Sequence, residues 1–95
     1  MKKLTEQEIK KQLEQLPGWE YLDGAIVTSF DFGNFKEAFA VMTRIAFECE
    51  AQGHHPDWTN VYKSLTIRLN THDVGGITAN DFNLAHAIEA IVQAD

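Results

Sequence analysis

Cysteine is almost absent from this chain, and the single residue, Cys49, cannot form an internal disulfide. Nothing in the sequence therefore favours an oxidising compartment. Basic residues are also scarce, with 8 lysines and arginines against 14 acidic residues and a net charge of −6. A protein that mainly binds nucleic-acid phosphates or an anionic membrane surface needs a concentrated basic face. We therefore expect a protein that binds neither nucleic acid nor membrane.

Long apolar runs are missing as well. No stretch of the sequence approaches the apolar length that a membrane span requires. The chain turns polar directly after Met1, with no apolar run behind it. This pattern predicts neither a membrane helix nor a signal peptide. Together with the single cysteine, it predicts a cytoplasmic protein.

Signatures of cofactor and metal sites are absent too. The sequence has no phosphate-binding loop, no dinucleotide-binding fingerprint and no nucleophile elbow. Zinc held by three histidines and a water is the alternative chemistry. However, the adjacent side chains of His54 and His55 diverge if their segment is extended, so they cannot easily bind one ion together. The sequence thus predicts neither a cofactor nor a metal.

Three helices are predicted from their caps and their apolar spacing. Thr5, Asn34 and Thr78 each precede an acidic residue three positions later, which is the pattern of a capping box. The helix over residues 34–52 repeats apolar side chains every three and four positions. It ends at Gly53, a residue that readily adopts the left-handed conformation of a helix C-terminus.

Two β-hairpins separate these helices. The first turns at Asp23–Gly24, a pair suited to positive φ at both turn positions. The second joins residues 58–62 to residues 65–71, with Tyr62 paired with Leu65, and its alternation leaves one face apolar. The order α-β-β-α-β-β-α predicts an α+β two-layer sandwich, with a four-stranded antiparallel sheet and three helices on one face.

The size of the chain predicts one domain over residues 1–95. A chain of 95 residues can bury about two-thirds of its unfolded surface, which suffices for one core. Between positions 38 and 47, however, only Thr43 and Arg44 are polar. A helix that is apolar most of the way round needs cover on more than one side. We therefore expect another copy of the chain to cover the long helix in a homo-oligomer.

Histidine is unexpectedly frequent in so small a chain. His54 and His55 lie between the long helix and a strand, and His72 lies where the last strand ends. Imidazole has the unperturbed side-chain pKa closest to neutrality, so rings at fixed positions can supply both an acid and a base. Pro56 restricts His55 to extended backbone. The three rings can converge if these element ends share one rim of the sheet, whereas His86 is most simply an exposed helix residue.

Several neighbouring residues have simpler structural explanations. Asp81 is well explained as the acidic partner of Thr78 in a capping box. Glu50 in the last helical turn is explained as a solvated charge. Cys49 and Trp19 are most simply core residues.

The spacing of these residues resembles one known family. Glu50, His54-His55-Pro56, Tyr62, His72 and Asp81 follow one another as in the pterin-4a-carbinolamine dehydratases, also called 4a-hydroxytetrahydrobiopterin dehydratases. The similarity covers essentially the whole chain and includes these further segments: Phe35 to Arg44, Asn60-Val61-Tyr62, Thr71-His72-Asp73, the following Gly-Gly-Ile-Thr loop, and Asp81 to Ala85.

The resemblance implies a hydro-lyase that needs no metal or organic cofactor. Its substrate is the 4a-hydroxytetrahydropterin that aromatic amino-acid hydroxylases release, and loss of water gives the quinonoid dihydropterin for tetrahydrobiopterin recycling. Carried over by position, the catalytic residues are His54 and His72, as acid and base, and His55, which holds or polarises the substrate. Seven further residues surround the pterin or orient a histidine: Gly53, Asn70, Thr71, Asp73, Glu50, Asp81 and Trp19.

The resemblance also leaves a second class of function open. The family includes dimerisation partners of a homeodomain transcription factor in animals. The alternative to an enzyme is therefore a non-catalytic co-regulator binding module that uses the apolar face of helix 34–52. The sequence leaves open the choice between dimer and tetramer, the physiological pterin, the presence of a partner hydroxylase, and which of His54 and His72 is the acid.

Overall fold

Three helices and a four-stranded sheet make up the fold. The computed structural model describes residues 1–94. The elements in chain order are α1 (Glu6–Leu13), β1 (Glu20–Leu22), β2 (Ala25–Asp31), α2 (Phe35–Gln52), β3 (Asp57–Val61), β4 (Ser64–Leu69), a single 3-10 turn (His72–Val74) and α3 (Ala79–Gln93). All paired strands are antiparallel, in the spatial order β1-β2-β4-β3. The predicted α+β fold and element order are confirmed.

The core lies on one face of the sheet. Along β4, Leu65, Ile67 and Leu69 are buried, whereas the intervening Thr66 and Arg68 are partly exposed. This alternation places one apolar face of the sheet against the helices. The helices contribute the following buried residues: Ala38, Val41, Ile45 and Cys49 from α2, and Phe82, Leu84, Ala85 and Ile88 from α3.

The capping boxes that begin α1 and α3 form as predicted. At α2, Asn34 accepts a hydrogen bond from the Glu37 N–H. The Glu37 carboxylate accepts from the Gly33 N–H at 2.8 Å rather than from that of Asn34, so the second half of this box is displaced by one residue. Gly53 adopts a left-handed φ of 64° and ends α2, as the sequence predicts.

The two hairpins differ in how well the sequence predicts them. In the first, Asp23 and Gly24 both have positive φ, as expected. In the second, the predicted pairing of Tyr62 with Leu65 is wrong, because Asn60 lies opposite Leu65. The Asn60 amide donates to the carbonyl oxygens of Tyr62 and Ser64 at 3.1 and 3.0 Å. It thereby stabilises a turn in which Tyr62 is exposed and has a φ of 53°.

Part of the apolar surface of α2 has no cover within residues 1–94. Phe39 is 55% exposed and Phe47 is 73% exposed. They border a groove of about 300 Å³ that also contacts Met42, Ala46 and Trp58. The groove is the surface for which the sequence predicts a second cover. Within the same residues, no helix combines the length and apolar character needed to cross a membrane.

Candidate active site

Two loops at the ends of α2 and β4 meet around a small pocket. The pocket has a volume of about 240 Å³ and is lined by Gly53, His54, His55, Asn70, Thr71, His72 and Asp73. These are the three predicted catalytic histidines with four of the predicted substrate contacts. The structure therefore brings together the two predicted site segments, residues 53–55 and residues 70–73.

The first loop follows from the way α2 ends. The left-handed conformation of Gly53 turns the chain away from the helix axis. The His54 N–H then donates to the carbonyl oxygen of Cys49 at 3.1 Å. Pro56 cannot continue a helix and favours extended backbone at His55. These three constraints direct successive imidazoles from the helix end toward the pocket.

The second loop is closed by backbone hydrogen bonds between its ends. The Thr71 N–H donates to the Gly76 carbonyl oxygen at 2.7 Å, and the Gly76 N–H donates back to Thr71 at 3.4 Å. Between them lies the 3-10 turn His72–Val74, which is capped by Gly75 in the left-handed conformation with a φ of 64°. β4 already ends at Leu69, so His72 belongs to this turn and not to a strand end. The turn presents His72 to the pocket.

His54 is the most enclosed of the three imidazoles. Its side chain is 11% exposed, and its Nε2 lies 2.5 Å from Oδ1 of Asp81 in the first turn of α3. The Asp81 carboxylate is fully buried. Its other oxygen, Oδ2, accepts from the Thr71 hydroxyl at 2.8 Å and from the Thr78 N–H at 2.9 Å. Asp81 therefore caps α3 and also orients a histidine of the pocket.

His55 and His72 have wetter surroundings. Nε2 of His55 lies 2.6 Å from Oε2 of Glu50, and both side chains are exposed, at 59% and 76%. Water screens such a pair, so it orients the ring more than it stabilises the fold. His72 is exposed, and its side chain forms no hydrogen bond or ion pair within residues 1–94. The three rings thus have three different environments around one cavity.

Three predicted site residues lie outside the pocket wall. Asp81 lies behind His54, and Glu50 contacts the apolar groove of α2 while reaching His55. Trp19 is not brought to the histidines. Its ring is buried, and its Nε1–H donates to the Glu89 carboxylate of α3 at 3.0 Å. This contact explains Trp19 as part of the core, the simpler of its two predicted roles.

Two other sequence-based assignments concern chemistry away from the pocket. Cys49 is buried in α2, and burial raises the pKa of its thiol because desolvation penalises the thiolate. Cys49 is therefore a core residue, as predicted, and a poor nucleophile. No cluster of three or more His, Cys, Asp and Glu residues in positions 1–94 has the arrangement of a metal site.

Sequence reasoning missed the role of Thr78 beyond its cap. Its hydroxyl lies 2.8 Å from that of Thr71, and both threonines are buried beside Asp81. The capping box indicated that Thr78 and Asp81 would be close together. It gave no sign that Thr71 would join them, because that contact depends on the closure of the loop between β4 and α3.

The fold and the pocket together define a class of small α+β proteins. In this class, the loop after a long helix and the loop after a central strand meet around a cavity lined by imidazoles. Within that class the chain belongs to the pterin 4 alpha carbinolamine dehydratase family, whose sequence model matches residues 2–91. This membership confirms the family resemblance seen in the sequence.

Individual proteins agree with this family membership. A protein of Christiangramia forsetii that is named for the family is 58% identical over 94 residues, covering 99% of this chain and 97% of its own. A similarly named protein of Prochlorococcus marinus is 52% identical over 90 residues, with coverages of 95% and 94%. A crystal structure from Brucella melitensis, described as a transcriptional coactivator/pterin dehydratase, superposes with a TM-score of 0.92 at 38% identity, covering 95% of this chain and 98% of that one.

Proposed function

We propose that this chain is a hydro-lyase that converts a 4a-hydroxytetrahydropterin to the quinonoid dihydropterin and water. The observation that carries the proposal is the convergence of His54, His55 and His72 on one pocket of about 240 Å³. Family membership supplies the substrate class. The product is of the kind that a reductase returns to the tetrahydropterin, so the activity belongs to pterin recycling after an aromatic amino-acid hydroxylase.

The reaction needs one proton removed and one delivered. A base takes the proton from N5 of the pterin, and the released electron pair forms the C4a–N5 double bond. The C4a–oxygen bond breaks, and an acid protonates the departing hydroxyl, which leaves as water. All atoms and electrons balance within the substrate and two proton-transfer groups, so the proposal needs no metal and no cofactor.

The proposed roles follow the surroundings of each ring. His54 and His72 exchange the protons, because they face the pocket from its two opposite loops. His55, held by Glu50 at the rim, polarises or holds the substrate. Gly53, Asn70, Thr71 and Asp73 line the remaining wall and contact the pterin. General acid–base assistance of this kind typically contributes about 10²–10⁴ in rate.

The decay of freshly generated 4a-hydroxytetrahydropterin, followed by absorbance with and without the protein, tests the activity. The double variant His54→Ala, His72→Ala should lose about 10²–10⁴ in kcat. His86→Ala is the matched control, since His86 is exposed on α3 and does not line the pocket. An unmodified protein that does not accelerate the decay contradicts the activity. A fully active double variant contradicts the assigned roles.

A second proposed property is self-association through α2, as a dimer or a tetramer. The exposed Phe39 and Phe47 beside the apolar groove support it, because a monomer seldom exposes such a contiguous surface. Light scattering should give a smaller particle for Phe47→Glu than for the parent. Lys36→Ala is the control, because it changes the net charge equally from an exposed α2 position outside the groove. Equal particle sizes for all three proteins would contradict this assembly.

The same groove supports the alternative function, a co-regulator binding module. The description of the Brucella protein as a transcriptional coactivator favours this candidate. In that case Phe47→Glu should abolish binding of the partner while turnover stays intact. Loss of turnover together with partner binding would instead indicate that assembly and catalysis depend on one another.

A further inference from the structure

The exposed face of α2 carries its side chains in one stripe. Successive residues of an α-helix turn by about 100°, so these side chains lie within about 60° of Thr43 around the helix axis. All of them are exposed, and they lie opposite the residues that α2 buries in the core. They form the α2 stripe, which consists of Lys36, Phe39, Ala40, Thr43, Ala46, Phe47 and Glu50.

The α2 stripe is symmetric about Thr43. Phenylalanine occurs at equal distances before and after this position, at Phe39 and Phe47. Alanine occurs closer to it on both sides, at Ala40 and Ala46. The groove of about 300 Å³ lies between the two phenylalanines, where Thr43 and Ala46 leave space. The stripe thus has large apolar side chains toward its ends and small ones around its centre, in whichever direction it is followed.

The charges at the two ends of the stripe complement each other. Lys36 lies as far before Thr43 as Glu50 lies after it. A second copy in antiparallel orientation, with the two-fold axis at Thr43, places Lys36 of each copy beside Glu50 of the other. A parallel copy would place like charges together. The stripe therefore fits an antiparallel second copy of this chain, with Phe39 of each copy packed beside Phe47 of the other.

Glu50 joins the α2 stripe to the pocket. Its Oε2 lies 2.6 Å from Nε2 of His55, which lines the cavity. In a single copy the Glu50 side chain is 76% exposed, and an exposed pair of this kind holds its members only weakly. A second donor to Oε1 restricts the carboxylate and, through it, the imidazole. The antiparallel pairing supplies such a donor, the ammonium group of the partner's Lys36.

We propose that two copies pair antiparallel along the α2 stripe and that the partner's Lys36 is a positioning residue for His55. Its ammonium group donates to Oε1 of Glu50, so each pocket is completed by the other copy. The inference rests on the self-association proposed above. The part that His55 plays in the reaction rests on the proposed dehydratase function, whereas the pairing itself does not.

Cysteine cross-linking at the centre of the stripe tests the pairing without any enzymatic activity. The axes of packed helices are about 8–10 Å apart and each Cα lies about 2.3 Å from its axis, so the two Cα atoms at position 43 should be about 3–6 Å apart. This distance overlaps the range that a disulfide spans. Thr43→Cys should therefore form a disulfide-linked dimer under mild oxidation. The parent, whose single Cys49 is buried, is the control.

Lys36→Cys and Glu50→Cys report on the ends of the stripe. In an antiparallel pair, the two copies of position 36 are separated by the helical rise from residue 36 to residue 50, about 21 Å. Neither variant alone should cross-link, whereas a mixture of the two should. Self-linking of either single variant would indicate a parallel pair and overturn the proposal. A Thr43→Cys variant that stays unlinked overturns it equally, whether the stripe is bare or covered by another protein.

Dehydratase kinetics test the contact with Glu50. Lys36→Ala should stay assembled, because both phenylalanines remain, but it should raise KM about two- to fivefold, the range of an exposed ion pair. kcat should change less, since His55 is proposed to hold the substrate rather than to exchange its protons. Lys36→Arg should restore KM. Lys10→Ala removes an exposed lysine of α1 that lies outside the groove and the pocket, so it is the matched control and should behave as the parent.

A double-mutant cycle with Glu50→Gln completes the test. Glu50→Gln should raise KM by itself, and Lys36→Ala should have no further effect in its presence, because the two residues act through one contact. Equal effects of Lys36→Ala in both backgrounds, or no effect in the parent, would refute the positioning role. Because cross-linking needs no turnover, a failure of the pairing is distinguished from a failure of the dehydratase function.

Discussion

The exchange Asp81→Asn is the sharpest perturbation that the site offers. Asparagine keeps the size of the side chain but has one acceptor oxygen and one NH₂ donor. The Thr78 N–H cannot reverse its direction, so the amide oxygen must occupy the position of Oδ2, 2.9 Å from that nitrogen. The NH₂ group then faces Nε2 of His54, where Oδ1 lies now. Nε2 of His54 can accept a hydrogen bond from this NH₂ group only if the hydrogen of the ring moves to Nδ1.

This change removes the lone pair from Nδ1, the ring nitrogen of His54 that does not contact Asp81. In a Ser–His–Asp protease the equivalent exchange leaves the geometry intact and lowers kcat by about 10⁴ through the wrong tautomer. The same logic here gives an expected loss of about 10²–10⁴ in kcat, the share that general base catalysis supplies. KM should change little, because Asp81 lies behind His54 and outside the pocket wall.

The expected cost in stability is much smaller. Three hydrogen bonds reach the carboxylate, from His54, Thr71 and the Thr78 N–H. Bonds to a charged group are worth roughly 1 kcal/mol more than neutral ones. The lower desolvation cost of a neutral amide offsets part of this difference. We expect the free energy of unfolding to fall by about 1–2 kcal/mol, or roughly 4–16 °C in Tm for a domain of this size.

Urea unfolding and the decay of 4a-hydroxytetrahydropterin measure the two effects on the same samples. Asp31→Asn is the matched control, since Asp31 accepts a hydrogen bond from Ser64 at the surface, away from the pocket. It should leave kcat unchanged. An Asp81→Asn variant that is folded and as active as the parent would refute the tautomer argument. A loss of kcat that merely follows the unfolded fraction would refute it equally.

Four further predictions concern residues in and next to the end of α2. Burial raises the pKa of the Cys49 thiol. The thiol should therefore react with iodoacetamide near neutral pH at least 10-fold more slowly in the folded protein than in urea. Equal rates would contradict its burial. The same raised pKa should lower the free energy of unfolding as pH rises past the ordinary thiol pKa of 9.0, because the thiol of the unfolded chain ionises first. Urea titrations at several pH values measure this loss, and Cys49→Ala should abolish it. Gly53→Ala should cost about 1–2 kcal/mol in urea unfolding from left-handed strain alone, since an added Cβ meets nothing within 4 Å, and a neutral result would refute the cap argument. Glu50→Gln should change stability by less than about 1 kcal/mol, because its ion pair with His55 is exposed; a larger loss would mean that the pair is covered in an assembly.

The sequence predicted the parts of the fold that depend on local chemistry. Thr5 and Thr78 cap their helices as expected because the pattern needs only residues three positions apart. The predicted and the observed pairings in the second hairpin differ by two residues along the strand. A shift of two residues leaves alternate side chains on the same face of the sheet, so the apolar pattern fits both pairings. A side-chain bond from Asn60 to the turn selects one of them. Apolar alternation carries no information about that bond.

The site also has a part that the sequence predicts and a part that it does not. The seven pocket-lining residues belong to two short segments at the ends of elements, so their convergence could be inferred once the order of elements was known. The Trp19 assignment came from family resemblance alone, and the indole instead donates to Glu89, 70 residues away. The hydroxyl contact between Thr71 and Thr78 was equally inaccessible, because it requires the loop closure between Thr71 and Gly76. Contacts set by tertiary closure leave no mark in local spacing.

The unequal surroundings of the three imidazoles matter more for the chemistry than their number. A dehydration that moves one proton off nitrogen and another onto oxygen needs two groups that stay distinct through the cycle. Identical histidines in water would exchange these roles freely. Here a buried carboxylate fixes one ring of the pocket, an exposed glutamate holds the second, and the third, His72, forms no hydrogen bond or ion pair with residues 1–94. In the proposed mechanism, His54 would return to the same tautomer after each turnover, while His72 would exchange its proton with solvent from the opposite loop. In the proposed mechanism, the division of labour between acid and base therefore originates outside the pocket, in α3, where Asp81 caps the helix and also contacts His54.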